Sequence, residues 1–129
     1  MPRVSAAFFA VGVLYVLAGM AWGMHMGESQ DFVLAPAHAH LNLLGWVTMA
    51  LYGTFYALTR ETMSPRLAWA NFVISTIAVA IMIPSLAMFL SSGNDPKFLP
   101  GMIGGEVLAI VGMLVFGVSV VRELLRARP

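Results

Sequence analysis

The chain of 129 residues is 60% hydrophobic and only 10% charged, with a mean hydropathy of +0.86. A water-soluble domain carries about 25% charged residues, so this composition excludes an ordinary soluble protein and indicates one that is solvated by lipid. The net charge of +1 argues against a nucleic-acid-binding protein, and the lack of cysteine excludes disulfides, thiolate metal sites and covalently attached c-type haem.

Four apolar runs follow one another along the chain, over residues 4–24, 37–58, 67–90 and 101–122. Each has about the 20 residues that a helix needs to cross the hydrocarbon core. An isolated segment in lipid must satisfy its own backbone hydrogen bonds, as a helix does. The connections are short, so neighbouring helices are antiparallel. The sequence therefore predicts one all-α integral membrane domain over residues 1–129, a four-transmembrane-helix up-and-down bundle.

The first run could also be a cleaved signal peptide, since Arg3 precedes an apolar stretch that has small residues near Ala18 and Gly19. Its apolar stretch is longer than a signal core, however, and we interpret it as a true span.

The positive charges lie almost entirely on one side of this four-span arrangement. Six of the seven basic residues share that side: Arg3, Arg60, Arg66, Arg122, Arg126 and Arg128. Only Lys97 lies on the other side. Basic residues of membrane proteins accumulate on the cytoplasmic side. We therefore expect a multi-pass protein of the bacterial inner (plasma) membrane with both termini cytoplasmic, and with the loops 28–36 and 91–100 outside.

All three histidines are predicted near the outer face, where His25 ends the first run and His38 and His40 open the second. A lone histidine such as His25 can simply anchor a helix at the headgroup level. His38 and His40, at about 100° per residue, point about 200° apart around a regular helix. They cannot both bind one metal ion, but each can serve a site on its own side. Histidine is the commonest metal ligand, and ionisable residues at the hydrocarbon edge are functional by default.

The ten residues 37–46, AHAHLNLLGW, resemble the tenth helix of the catalytic subunit of haem–copper oxidases. The style is closest to the H-x-H-L-x-L-x-G pattern of the nitric oxide reductase branch. In that family the first histidine binds the high-spin haem iron, and the second binds the low-spin haem iron from the opposite face. The resemblance implies haem b bound by His38 and His40, in electron transfer or in chemistry with oxygen or nitric oxide. The family's His-His pair and its H-x-x-x-Y arrangement do not occur in this sequence.

The position of the motif extends the resemblance to the architecture. The family's twelve helices form three groups of four, and the motif lies in the second helix of its group, as it does here. The resemblance thus implies a homotrimer that rebuilds the twelve-helix ring around three equivalent pores. In it, His38 faces the pore on one side and His40 the pore on the other, so that a haem lies between His38 and a neighbour's His40. Electrons would come from a quinol or a redox protein, and whether the protein turns over a substrate as an oxidoreductase is left open.

A second cluster of ligand-type side chains ends the first span, namely Met20, Met24, His25 and Met26. Thioether and imidazole groups suit copper, especially Cu(I). A copper ion held by His25 with Met24 or Met26 requires the helix to unwind at its end. The alternative is that these methionines fill gaps in apolar packing.

Two polar residues are expected to support the histidines. Glu106, one turn into the fourth span, could pair with Lys97, accept a hydrogen bond from a histidine or relay a proton. Asn42 lies one turn after His38, where it could support the site or form a hydrogen bond to another helix. The polar residues of the third span, Asn71, Ser75 and Thr76, are expected to join helices.

Two other functions are compatible with the same residues. The protein could handle copper through His25, His38, His40 and the nearby methionines. It could also be a non-catalytic accessory subunit of a respiratory complex that binds no cofactor of its own.

Overall fold

The computed structural model describes residues 1–126, and all the regular secondary structure in this part of the chain is helical, without a strand. The elements in chain order are α1 (Arg3–Ser29), α2 (Ala35–His40), a π-helical segment (Leu41–Thr48, the π segment), α3 (Met49–Leu58), α4 (Pro65–Ser91), a 3₁₀ turn (Pro96–Phe98) and α5 (Leu99–Arg126). Arg128, which the sequence analysis places on the cytoplasmic side, lies outside the described residues.

Four helical stretches are long and apolar enough to cross a membrane: Arg3–Ser29, Ala35–Leu58, Pro65–Ser91 and Pro96–Arg126. The prediction of an all-α protein with four helices that can span a membrane is confirmed. The helices extend past the predicted apolar runs because a helix ends where its backbone turns away, not where its side chains become polar. The first span, for example, continues to Ser29 and stops at Gln30, whose φ of 55° is left-handed.

Local sequence signals explain where the other spans begin and end. Pro36 and Pro65 occupy the first turns of α2 and α4, where a missing N–H leaves no bond unmade. After α4 the chain reverses through Gly93 and Asn94, with φ of 73° and 69°. Only residues that tolerate the left-handed region take such angles readily.

An aromatic core fills the end of the bundle that holds the N-terminus. Phe8 of α1 is fully buried and stacks on Tyr56, with ring centroids 5.8 Å apart. It also meets Tyr52 and Phe72 edge to face at 5.6 and 5.2 Å. These contacts tie α1 and α3 to α4, and the apolar area that they bury is the main local source of stability in this half.

At the other end of the bundle, a second cluster is built from Leu41, Val79, Met82 and Ile83. Here α4 and α5 approach closely, because Gly105 of α5 lies against the backbone of Met82. Small residues at helix interfaces permit such approaches in membranes. Of the glycines in the fourth span, Gly101, Gly105 and Gly112 face α4, whereas Gly104 and Gly117 face open space.

A groove separates the second span from α5 on the side away from α1. Near the N-terminal end of the bundle, α5 reaches α3 through a large side chain, since the rings of Tyr52 and Phe116 are 4.5 Å apart. Towards the histidine end an open groove lies between the two helices. The groove is lined by His40, Leu43, Leu44, Met82, Glu106, Ala109 and Ile110.

Candidate functional site

The fold places all three histidines at one end of the bundle. His25 lies four residues before the end of α1, and His38 and His40 close the short helix α2. A connection of five residues, 30–34, joins the two helices. The end of α1 and the start of the second span therefore lie at the same end of the bundle because the chain turns back immediately.

His40 is held by a hydrogen bond that decides its protonation pattern. Its Nδ1 lies 2.7 Å from the carbonyl oxygen of Pro36, one turn earlier in the same helix. A carbonyl can only accept, so Nδ1 must carry the proton and donate it. In the neutral ring, Nε2 then keeps its lone pair. The ring is exposed on the surface of the protomer, so this nitrogen is open to a ligand from the groove.

His38 has the opposite environment. Its ring is half-buried against α1, where Gly23 has room for it, and it meets Trp22 edge to face at 6.3 Å. The side-chain nitrogen Nδ2 of Asn42 lies 3.2 Å from His38 Nε2. Nδ1 of the same ring is buried and has no hydrogen-bond partner among residues 1–126. His38 is thus half-buried within its own chain, and its Nε2 already contacts the side chain of Asn42.

The two rings occupy different clefts, as the spacing of two residues predicts. His38 lies in the cleft between α1 and α2 of its own chain, and His40 lines the groove towards α5. The resemblance led us to expect His38 in a pore between protomers. Within its own chain the ring lies against α1, because Gly19 and Gly23 let the second span approach closely enough to cover the Asn42 and His38 side chains; the pore between protomers stays a prediction.

Asn42 makes its hydrogen bond within its own helix, to His38, and not to another helix as the sequence analysis suggested as one alternative. Its Oδ1 is buried against Gly19 and has no hydrogen-bond partner in the described part of the chain. A Cβ at position 19 would overlap this oxygen. Asn42 and His38 therefore form one polar unit sealed by the glycines of α1.

The π segment, Leu41–Thr48, follows the histidines directly, and no pattern in the sequence predicts it. The Thr48 hydroxyl donates to the carbonyl oxygen of Leu43, five residues earlier, at 2.9 Å. π-Helical turns are rare and occur frequently at functional sites, where they change which side chains share a face. Neither hydropathy nor motif spacing signals such a segment, because both assume one regular helix.

Glu106 projects into the groove that His40 lines, and it is exposed. The pairing with Lys97 that the sequence suggested is not formed. Lys97 instead lies 3.2 Å from Asp95, two residues before it in the same turn. Glu106 and His40 are thus two ionisable side chains on one open surface of the membrane-spanning region.

The methionine cluster of α1 does not converge on His25. The helix remains regular to Ser29, so the unwinding that a shared copper site requires is not seen. Met26 is buried, whereas Met24 and His25 are exposed. Within residues 1–126, no three His, Cys, Asp or Glu side chains come together as a metal site would require.

A buried polar chain runs through the aromatic core. Asn71 donates to the Tyr56 hydroxyl at 3.3 Å and accepts from Ser75 at 2.9 Å. The Tyr56 and Ser119 hydroxyls are 3.2 Å apart. Asn71 therefore joins α4 to α3, in the role that we expected for it. The contribution of Ser119 was not expected, because a single serine in an apolar run carries no signal of its partner.

Comparison of the chain with protein-family models, curated proteins and solved structures finds no match.

Proposed function

We propose that this protein binds haem b in the membrane as a short relative of the haem–copper oxidase catalytic subunit, with His40 as an axial ligand. The observation that carries the proposal is the bond between His40 Nδ1 and the Pro36 carbonyl oxygen. Histidines that bind a metal typically donate their other ring N–H to a carbonyl or carboxylate, which fixes the ring and its tautomer. His40 has this arrangement before any metal arrives.

The donor set fits haem better than a protein-built copper centre. Haem needs from the protein only one or two axial ligands, since the porphyrin supplies the other four. A copper ion needs several side chains in one place, and His25, Met24 and Met26 diverge around α1. One free imidazole nitrogen beside an apolar groove is enough to bind haem, whereas a copper ion needs more ligands than this site provides.

The exposure of His40 and Glu106 supports assembly into an oligomer. Ionisable side chains in spans face protein or water, because contact with lipid is costly. In the homotrimer that we propose, a neighbouring protomer covers the groove and completes the site. The resemblance offers His38 as the neighbour's ligand. For this, His38 must give up its contact with Asn42 and turn away from Gly23.

The cofactor would supply one-electron chemistry or reversible binding of a gas such as oxygen or nitric oxide. This chain's own residues would hold the ring, exclude water with Leu43 and Ile110, and place the Glu106 carboxylate nearby. The distribution of arginines supports cytoplasmic termini in a bacterial inner membrane. Electrons would enter from a quinol or a separate redox protein.

The decisive experiment is an optical spectrum, oxidised and reduced, of the protein purified in detergent from haem-replete cells. We expect a Soret band with about one haem per protomer, and a native mass that corresponds to three chains. His40→Ala should lower haem occupancy by about tenfold or more, equivalent to at least ~1.4 kcal/mol of binding. His25→Ala is the matched control and should keep full occupancy. Elution as a single helical species excludes misfolding.

The other outcomes separate the rival functions. Stoichiometric copper without porphyrin favours a copper-handling protein. A colourless, metal-free protein that co-purifies with a respiratory complex favours an accessory subunit. Haem retained at wild-type occupancy by both His38→Ala and His40→Ala would refute the proposed ligands.

A further inference from the structure

A small cavity lies where the second span, α4 and α5 converge, between the aromatic core and the groove. Its volume is about 30 Å³. The lining residues are Leu44, Thr48, Tyr52, Ser75, Ala78, Val79, Ala109 and Met113. A water molecule needs only about 10–15 Å³ of such space, provided that it finds two to four polar partners.

Three hydroxyl-bearing side chains line this cavity, and each can form at least one more hydrogen bond than it does. Thr48 donates to the Leu43 carbonyl and Ser75 donates to Asn71, so the oxygen of each keeps lone pairs free. The Tyr52 hydroxyl has only the Met113 sulfur, at 3.6 Å, and a thioether is a weak acceptor. The cavity thus offers one underused donor and two free acceptors.

We infer that this cavity is a binding site for a water molecule, which accepts a hydrogen bond from Tyr52 and donates to Thr48 and Ser75. Water matches this set because it is the smallest molecule that accepts and donates at once. The inference does not depend on haem binding.

The bound water joins polar groups that are otherwise separate. Through Ser75 it connects Tyr52 to the chain of Asn71, Tyr56 and Ser119. The cavity also shares Leu44 and Ala109 with the groove of His40 and Glu106. The result is a polar column in the interior of the bundle, which begins at Ser119 and ends beside that groove.

The test is solid-state NMR of the full chain in lipid bilayers, with magnetisation transferred from water protons to side chains. We expect rapid transfer to Tyr52 and Ser75, and a loss of that transfer in Thr48→Val. The matched control is Thr54→Val, because Thr54 also donates to a carbonyl of its own helix, at 2.8 Å from the oxygen of Ala50, but does not line the cavity. It should leave the transfer unchanged.

Thermal unfolding gives an independent readout of the same pair. Both variants lose one bond to the backbone, but only Thr48→Val loses a water ligand. Thr48→Val should therefore lower Tm by about 2–4 °C more than Thr54→Val does. Absent transfer to Tyr52 and Ser75, or transfer that persists in Thr48→Val, would overturn the inference. So would equal losses of Tm in the two variants.

Discussion

The Asn42 side-chain nitrogen lies 3.2 Å from Nε2 of His38, one turn earlier in the same helix. Among residues 1–126, Nε2 of His40 has no such neighbour, and the bond from that ring to Pro36 uses Nδ1. Two histidines separated by one alanine are therefore chemically different within a single protomer. His40 presents a free nitrogen to its groove, and His38 is shielded by an amide.

The shielding of His38 can be measured by chemical modification. Diethyl pyrocarbonate reacts with free imidazole nitrogens, so we expect it to modify His40 before His38, as followed by mass spectrometry. Asn42→Ala should accelerate modification of His38 by roughly fivefold, the factor equivalent to a hydrogen bond of about 1 kcal/mol. The rate at His25 serves as the internal control. Equal rates at His38 in the wild type and the variant would contradict the role assigned to Asn42.

The contact between α4 and α5 predicts opposite outcomes for two adjacent glycines. An added Cβ at Gly105 would lie 2.7 Å from Cα and 2.8 Å from the backbone nitrogen of Met82, which cannot move aside cheaply. Gly105→Ala should therefore destabilise the protein by about 1–3 kcal/mol.

The control for that variant is Gly104→Ala, whose Cβ meets open space. It should be neutral or stabilise the helix by up to about 1 kcal/mol. Unfolding in a detergent titration, followed by the fluorescence of Trp22, Trp46 and Trp69, measures both. If the two variants unfold alike, α5 does not pack on α4 through Gly105.

The buried polar chain predicts that the Tyr56 hydroxyl contributes more to the free energy of unfolding than a hydroxyl with a single partner does. Tyr56→Phe keeps the ring that stacks on Phe8 but leaves Asn71 and Ser119 without their shared partner. We expect a loss of about 1–2 kcal/mol in the free energy of unfolding.

Tyr15→Phe is the comparison for this change, since Tyr15 makes a single bond to the Thr76 carbonyl at 2.9 Å. Single side-chain bonds in membrane proteins average about 0.6 kcal/mol, so the smaller loss belongs to Tyr15. The reverse order would show that Tyr56 acts only through its ring.

The loop between α3 and α4 is tied to the last turn of α5. The Thr62 hydroxyl donates to Glu123 at 2.6 Å, and Arg126 donates to the Thr62 carbonyl. Thr62→Val should speed proteolytic cleavage in residues 59–64 and destabilise the protein by about 0.5–1 kcal/mol. Glu61→Gln alters only an exposed contact with Arg60, 3.8 Å away, and should change neither quantity.

The helices could be predicted from the sequence because hydropathy is a local property, and four runs of about 20 apolar residues leave few alternatives. The divergence of His38 and His40 could also be predicted, since it follows from helix geometry alone. The side chains that surround each imidazole ring could not be predicted from the sequence. The cover over His38 depends on the register of α1 against α2, which places Gly19 and Gly23 opposite Asn42 and His38.

The ion-pair partner of Lys97 could not be predicted from the sequence either. Long-range pairing with Glu106 is reasonable from charge, but Asp95 is closer along the chain and caps the 3₁₀ turn with the same carboxyl group. The water site is beyond sequence reasoning for a related reason. It requires three hydroxyls from two helices, one of which contains the π segment.

The π segment also sets the rotational phase between the two halves of the second span. The histidines precede it and the tyrosines follow it, so its wider turns decide how far the imidazoles are twisted relative to the aromatic core. Removing one residue from 41–48 would let this stretch become an ordinary α-helix and would change the rotation of the histidine end relative to the aromatic core. The π segment thus fixes the angle at which the imidazoles at one end of the second span and the tyrosines at its other end face their neighbours.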